Sequence, residues 1–131
     1  MKYGIIDPHA RLWHTVDCES FEMALRAAGL RRGEIDFGSV CRGLEIVVDE
    51  YSLMQERQAY FGLLGGLYGG GAVLFQVDGE GATVDFQANP FLMGTLQFFA
   101  DAAEAEAAIR RLEVERPTQS VNGVVTWEWR P

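Results

Sequence analysis

Apolar and polar residues alternate with two different periods along this chain, and the switches between them mark out its elements. Tyr3 to Ile6 is a short apolar run closed by the turn dipeptide Asp7-Pro8, and Arg11 to Val16 alternates as a strand does, so the spacing predicts a hairpin across Pro8-His9-Ala10. The period then lengthens. Phe21, Ala24, Leu25 and Ala28 recur at helical spacing, with Asp17 as the expected N-cap, Glu19 and Glu22 in the first turn and Gly29 as the expected C-cap. Glu22 and Arg26 stand four apart in the favourable order.

Strand periodicity returns in Ile35 to Val40 and Leu44 to Val48, separated by Arg42-Gly43; Leu44, Ile46 and Val48 share one face, opposite Glu45 and Val47. Tyr51 to Gln58 is ambiguous, with one or two helical turns as one reading. Asp78-Gly79 supplies a tight-turn signal between Val73-Leu74-Phe75 and Thr83-Val84, which predicts a hairpin over Gly71 to Asp85. After the break at Asn89-Pro90, Gly94 to Phe99 reads as a strand. Asp101 then caps an alanine-rich helix to Leu112 with a buried stripe of Ala102, Ala105, Ile109 and Leu112. Asn122-Gly123 predicts a last hairpin, whose second strand places Val125, Trp127 and Trp129 on one face.

This order of elements is that of an α+β fold, a largely antiparallel sheet with two helices packed on it. Asp17 to Arg26 aligns without a gap on Asp101 to Arg110, pairing Asp with Asp, Glu22 with Glu106, Leu25 with Ile109 and Arg26 with Arg110. A duplicated strand–helix unit is one reading of that match, and the recurrence of caps and helix formers is the other. A chain of 131 residues with 48% hydrophobic and 23% charged positions reads as a single globular domain over residues 1–131. Met1 to Pro8 meets an acid and a proline too early for a secretory leader, and no apolar run reaches the roughly 18–20 residues of a membrane span. The expectation is a cytoplasmic protein without membrane contact.

Charge narrows the partners. The net charge is −8, and from Gln58 to Ile109 the chain has no lysine and no arginine while carrying Asp78, Glu80, Asp85, Asp101, Glu104 and Glu106. Phosphate backbones are held by clustered Lys and Arg that displace counterions, so direct nucleic-acid binding through this half is excluded and a basic protein is the partner its charge suits.

Candidate chemistry is sparse. Cys18, at the expected first turn of a helix and near His14 and Asp17, is the best nucleophile in the sequence, with His14 or His9 as its base; its alternative is an inert small hydrophobe. Asp7, His9 and His14 contain the donors of a two-histidine, one-carboxylate centre, but only sequence proximity joins them, and surface turn residues are the better reading. Cys18 and Cys41 belong to no CxxC pair and are expected to be reduced, and no zinc spacing exists. The run Gly62-Leu63-Leu64-Gly65-Gly66-Leu67-Tyr68-Gly69-Gly70-Gly71 matches no phosphate-loop spacing, so no nucleotide and no cofactor is expected. It is either a buried glycine-permitted crossing or an exposed loop offering Leu63, Leu64, Leu67 and Tyr68 to a partner. The entropy cost of ordering its glycines favours the exposed loop. Asp78-Gly79-Glu80-Gly81 with Asp85 lacks the alternating ligands of a calcium loop and reads as a hairpin tip. Asp49, Glu50 and Glu56 read as a solvated rim.

Ile5-Ile6-Asp7-Pro8 with Arg11, then Leu44-Glu45-Ile46-Val47-Val48-Asp49-Glu50, then Tyr60-Phe61 and the glycine run into Ala72-Val73-Leu74, follow a familiar order. Over about residues 4–86 the chain resembles a family of small phage- and plasmid-associated bacterial proteins known as a domain of unknown function. Tyr51-Ser52 stands where that family tends to have glycine, and the carboxyl-terminal segment lies outside the match. The resemblance implies a mobile-element accessory protein and supplies no active site. Three functions follow as expectations. The first is a non-enzymatic acidic protein that binds a basic partner, such as a host nucleic-acid-binding protein inhibited by DNA-like acidity, with Asp78, Glu80 and Asp85 joining the glycine loop in the contact. The second is a cysteine enzyme built on Cys18. The third is a homodimer through the Trp127 and Trp129 strand whose groove takes a small ligand.

Overall fold

The computed structural model describes residues 1–51, 58–115, 119–121 and 124–126, with Ile109 and residues 111 onward described by their backbone alone. Two antiparallel sheets lie face to face between helices. The larger, six-stranded sheet contains β1 (Lys2–Asp7), β2 (Leu12–Asp17), β3 (Ile35–Cys41), β4 (Leu44–Asp49), β7 (Ala72–Val77) and β8 (Thr83–Val84). Its spatial order is β2-β1-β7-β4-β3, with β8 pairing β7. The smaller, three-stranded sheet has the order β6-β5-β9 and is built from β5 (Tyr60–Leu63), β6 (Gly66–Gly69) and β9 (Gln97–Phe99). Beyond Glu115 the chain forms β10 (Gln119–Val121) paired to β11 (Val124–Thr126), as the Asn122-Gly123 signal predicts, although the turn itself, Trp127 and Trp129 lie outside the described residues.

Side-chain alternation sorts the core. From the larger sheet, Ile6, Leu44, Ile46, Val48, Ala72 and Leu74 point inward and meet Phe61, Leu63, Phe86 and Leu92. On its other face Tyr3, Ile5, Val47 and Val73 meet Ala24 and Leu25 of α1 (Phe21–Ala27). Val47 is thus buried like its neighbours, because β4 is an inner strand covered on both sides; the expected half-buried pattern describes only one of its faces. The outer face of the small sheet packs Tyr60 and Phe99 against Ala105 and Ala108 of α3 (Ala102–Glu115). Among the described residues no helix is long and apolar enough to cross a membrane.

The first helix starts later than its sequence implies. Ser20 is the N-cap, its hydroxyl accepting from the Met23 N–H at 3.3 Å, whereas Asp17 still belongs to β2, paired with Lys2. The Asp17 carboxylate is held by the N-terminal ammonium at 3.0 Å, so it is engaged before it can cap. Ala28 is the C-cap, and Gly29 follows it with φ 74°. The Leu30 N–H reaches the Leu25 carbonyl at 2.8 Å and the Gly29 N–H the Arg26 carbonyl at 3.0 Å, a Schellman closure whose apolar partners are Leu30 and Leu25. Glu22 pairs with Arg32 beyond the helix rather than with Arg26.

The second predicted helix begins where expected. The Asp101 carboxylate accepts from the Glu104 N–H at 2.9 Å, and Glu104 reaches back to the Ala100 N–H at 2.8 Å. Ala105 is buried as foreseen, but Ala102 is exposed and Ala108 takes its place in the stripe; Ile109 and Leu112 lie outside the described side chains. With caps at Ser20 and Asp101, the two helices start three positions apart in the gap-free alignment. Between them, Asn89 caps the short helix α2 (Pro90–Met93) through the Phe91 N–H at 2.9 Å.

The glycine-rich run departs most from expectation. It forms the β5–β6 hairpin, turned by Leu64 at φ 44° and Gly65 at φ 84°. Two successive left-handed residues make the type I′ turn that suits the twist of a two-residue hairpin, and glycine relieves the strain at the second of them. Phe61, Leu63 and Tyr68 turn toward the larger sheet, while Tyr60 and Leu67 turn toward α3.

Candidate functional site

The Cys18 environment is apolar and closed. Cys18 follows β2, its N–H bonded to the Met1 carbonyl at 3.0 Å, and its side chain is 8% exposed among Tyr3, Ile5, Ala24 and Leu25. It therefore precedes the helix and gains no N-terminal dipole of the kind the expected cap implied. His14 stands opposite Ile5 in the middle of β2, and the extended chain from His14 to Asp17 alone spans about 10 Å. His9 sits in the exposed turn at the other end of that strand. The structure does not assemble these residues into a nucleophile–base pair. Among the described residues no group of three or more His, Cys, Asp or Glu converges as metal ligands do.

Cys41, by contrast, ends β3 and is exposed, although partial burial of its thiol pushes the pKa up. A thiol reagent at neutral pH is expected to modify Cys41 in the folded protein and Cys18 only after denaturation. Preferential native labelling of Cys18 would restore the nucleophile reading.

Leu63 is 1% exposed, and Leu64, Leu67 and Tyr68 are half-buried against the two cores, so the predicted apolar contact surface is internal packing. Backbone pairing of β5 to β6 and to β9 offsets the entropy cost of ordering the glycines, and a sequence does not reveal the second of these ladders, whose partners lie 35–39 residues apart. Tyr68 stacks on Phe61 at 5.1 Å, and burial pushes its phenol pKa up. Burial, and then the nearby Cys18, do the same at Tyr3. A phenol whose folded pKa exceeds its unfolded value contributes stability that is complete below about pH 10 and lost as pH climbs through the folded value. Stability is thus expected to fall on alkaline titration, less steeply in Tyr68→Phe, as read by urea midpoints; an unchanged slope would contradict this placement of Tyr68. Exposed Tyr51 is raised for another reason, chiefly the charge of Glu50, then a hydrogen bond to it, so salt should relax its shift and leave that of Tyr68 in place.

The acidic candidates remain at the surface. Asp78 and Glu80 occupy the tip of the β7–β8 hairpin and Asp85 follows β8. The tip is a five-residue loop organised by the Asp78 carboxylate, which accepts from the Glu80 and Ala82 N–H groups, each at 2.9 Å, rather than the two-residue turn that Asp78-Gly79 suggested. Asp85 accepts from the Lys2 main-chain N–H at 2.8 Å. Asp101, Glu104 and Glu106 are likewise exposed, on or before the first turns of α3. Among the described residues none of these six carboxylates is in an ion pair; the pairs found are Met1 with Asp17 and Arg32 with Glu22. Arg42 lies in the β3–β4 turn, which the Val77 N–H to Gly43 carbonyl bond joins to the base of this hairpin.

Two shallow depressions lie among the described residues. One, of about 550 Å³, lies between β9 and α3 and is lined by Gln97, Phe98, Phe99, Glu104, Ala107 and Ala108. The other, about 330 Å³, lies beside α1 and includes Arg26, Arg31 and Arg32. Neither gathers a nucleophile with a base. The sequence reading also passed over Phe37, which is 57% exposed on the edge strand β3 yet stacks on Phe21 at 6.2 Å. Between Asp36 and Gly38 in an alternating strand, it carried no local signal of which face would be covered. No protein-family model, curated protein or solved structure matches this chain.

Proposed function

We propose that the chain is a non-enzymatic binding protein for a basic macromolecular partner. The observation that carries this reading is the set of six exposed carboxylates, Asp78, Glu80, Asp85, Asp101, Glu104 and Glu106, without ion pairs among the described residues and within a stretch that has no lysine or arginine. Carboxylates left unneutralised make the local potential negative and steer cations to them. A protein whose own function is to grip phosphate presents the complementary basic surface. The sequence resemblance adds the biological setting, a phage- or plasmid-borne accessory protein that occupies a host nucleic-acid-binding protein by mimicking its ligand's charge.

The test uses Glu80→Arg/Glu106→Arg, because both side chains are exposed and neither holds a turn or a cap in the structure. Immobilised wild-type protein should retain a stoichiometric basic partner from bacterial lysate and release it at moderate salt, since exposed charge contacts are screened. The double variant should release it at clearly lower salt. Retention of a partner with no dependence on these charges, or of no basic partner at all, would overturn the proposal.

A further inference from the structure

Strand β3 is an edge strand: among the described residues it pairs with β4 alone. Which of its peptide groups are free follows from the hydrogen-bond phase. The Glu50 N–H donates to the Glu34 carbonyl at 2.9 Å, one step before the Ile35–Asp49 pair, so Asp36 and Gly38 turn their peptide groups toward β4. The Val77 N–H to Gly43 carbonyl bond fixes the same phase from the far side of β4. Ile35, Phe37 and Ser39 consequently aim their N–H and C=O groups at the open edge. An extended row of unpaired peptide groups is a template for another strand, and proteins usually guard it with Lys, Pro or a charge at its centre. Here Asp36 and the bulge between Ser39 and Cys41 are the strand's only such guards, and between them Phe37 is more than half exposed and braced by Phe21 and by Phe75 at 6.3 Å.

We propose that β3 pairs with β3 of a second copy, antiparallel about a two-fold axis at Phe37, joining the two larger sheets into one. The occupant is a second copy because the strand is self-complementary in this register. Phe37 faces Phe37 of the copy, and Ile35 faces Ser39, which are the positions whose peptide groups point outward. Asp36 falls opposite Gly38, and Glu34 opposite Val40, so no acid stands directly across from an acid. The pairing gives about six main-chain hydrogen bonds and covers both Phe37 rings. The two Asp36 side chains meet only on the diagonal, about 7–8 Å apart, a repulsion that salt screens. Dimerisation therefore strengthens with ionic strength, the opposite of the salt response expected for the basic partner, and the two contacts use different surfaces.

The experiment is sedimentation equilibrium of the full chain from micromolar to millimolar concentration at low and high salt. The expected result is a monomer–dimer equilibrium that tightens with salt and whose dissociation constant rises at least 100-fold in Phe37→Asp. A second readout does not depend on how that variant folds. In a Cys41→Ser background, Asp36→Cys/Gly38→Cys should oxidise to a covalent dimer, since these positions oppose each other as a non-hydrogen-bonded pair. Gly38 has room for the side chain, its nearest neighbour being Ile46 Cγ2 at 3.4 Å. A monomer at every concentration, or a dimer indifferent to Phe37→Asp and without the cross-link, would overturn the proposal.

Discussion

Gly71→Ala is expected to destabilise the protein by about 3 kcal/mol, the upper range for forcing a methyl group into a closed site. A Cβ placed on Gly71 stands 2.3 Å from the Ala28 carbonyl oxygen, well inside any allowed contact. That oxygen is main chain at the C-cap of α1, so no side chain can swing away to make room. Relief requires moving the end of α1 off the sheet or displacing the entry to β7, the central strand of the large sheet. Either shift loosens Leu25 and Leu30 from Val47 and Val73. Urea unfolding should show a midpoint lowered by about 1–2 M at an m-value ordinary for this size. An unchanged midpoint would mean that α1 does not end against Gly71.

Phe61→Ala should cost about 3–5 kcal/mol. Phe61 is fully buried between the two sheets and is the largest side chain so enclosed. It packs with residues of the large sheet on one side and stacks on Tyr68 on the other. Truncation removes the transfer energy of the ring and leaves a cavity among close-packed side chains such as Ile46, Leu74 and Phe86, which relax only partly. Phe37→Ala is the matched control: a ring of the same chemistry, more than half exposed, should cost under about 1 kcal/mol in the monomer. Equal losses at the two positions would invalidate the assignment of Phe61 to the inter-sheet core.

These two residues show where local sequence stops being informative. Phe61, between Tyr60 and Gly62, and Phe37, between Asp36 and Gly38, both sit beside glycine in short strand-like stretches, and strand periodicity alone does not separate the enclosed ring from the exposed one. Their difference lies in strand order, because β5 is covered on both faces whereas β3 is outermost. The same applies to the glycine run. Its glycines lower strand propensity, and only the ladder to β6 and β9 makes it a hairpin. At the candidate site, the acidic residues were legible because exposure follows from charge, whereas the helix dipole expected at Cys18 depended on a helix start placed three residues too early.

The sequence by itself determined the α+β class, the β1–β2, β3–β4 and β7–β8 hairpins, the start of α3 at Asp101 and the charge asymmetry between its halves. All of these depend on neighbours a few residues apart, through turn chemistry, capping and periodicity. Only the tertiary structure decided that Asp17 stays in β2, that Leu63 and Tyr68 point inward, that Val47 is covered twice and that Phe37 borders an open edge. Asp17 is held by Lys2 and the N-terminal ammonium at the far end of the β1–β2 ladder, and the others depend on which distant strand lies alongside. That choice is made by the collective burial of two sheets against each other, and no local pattern encodes it.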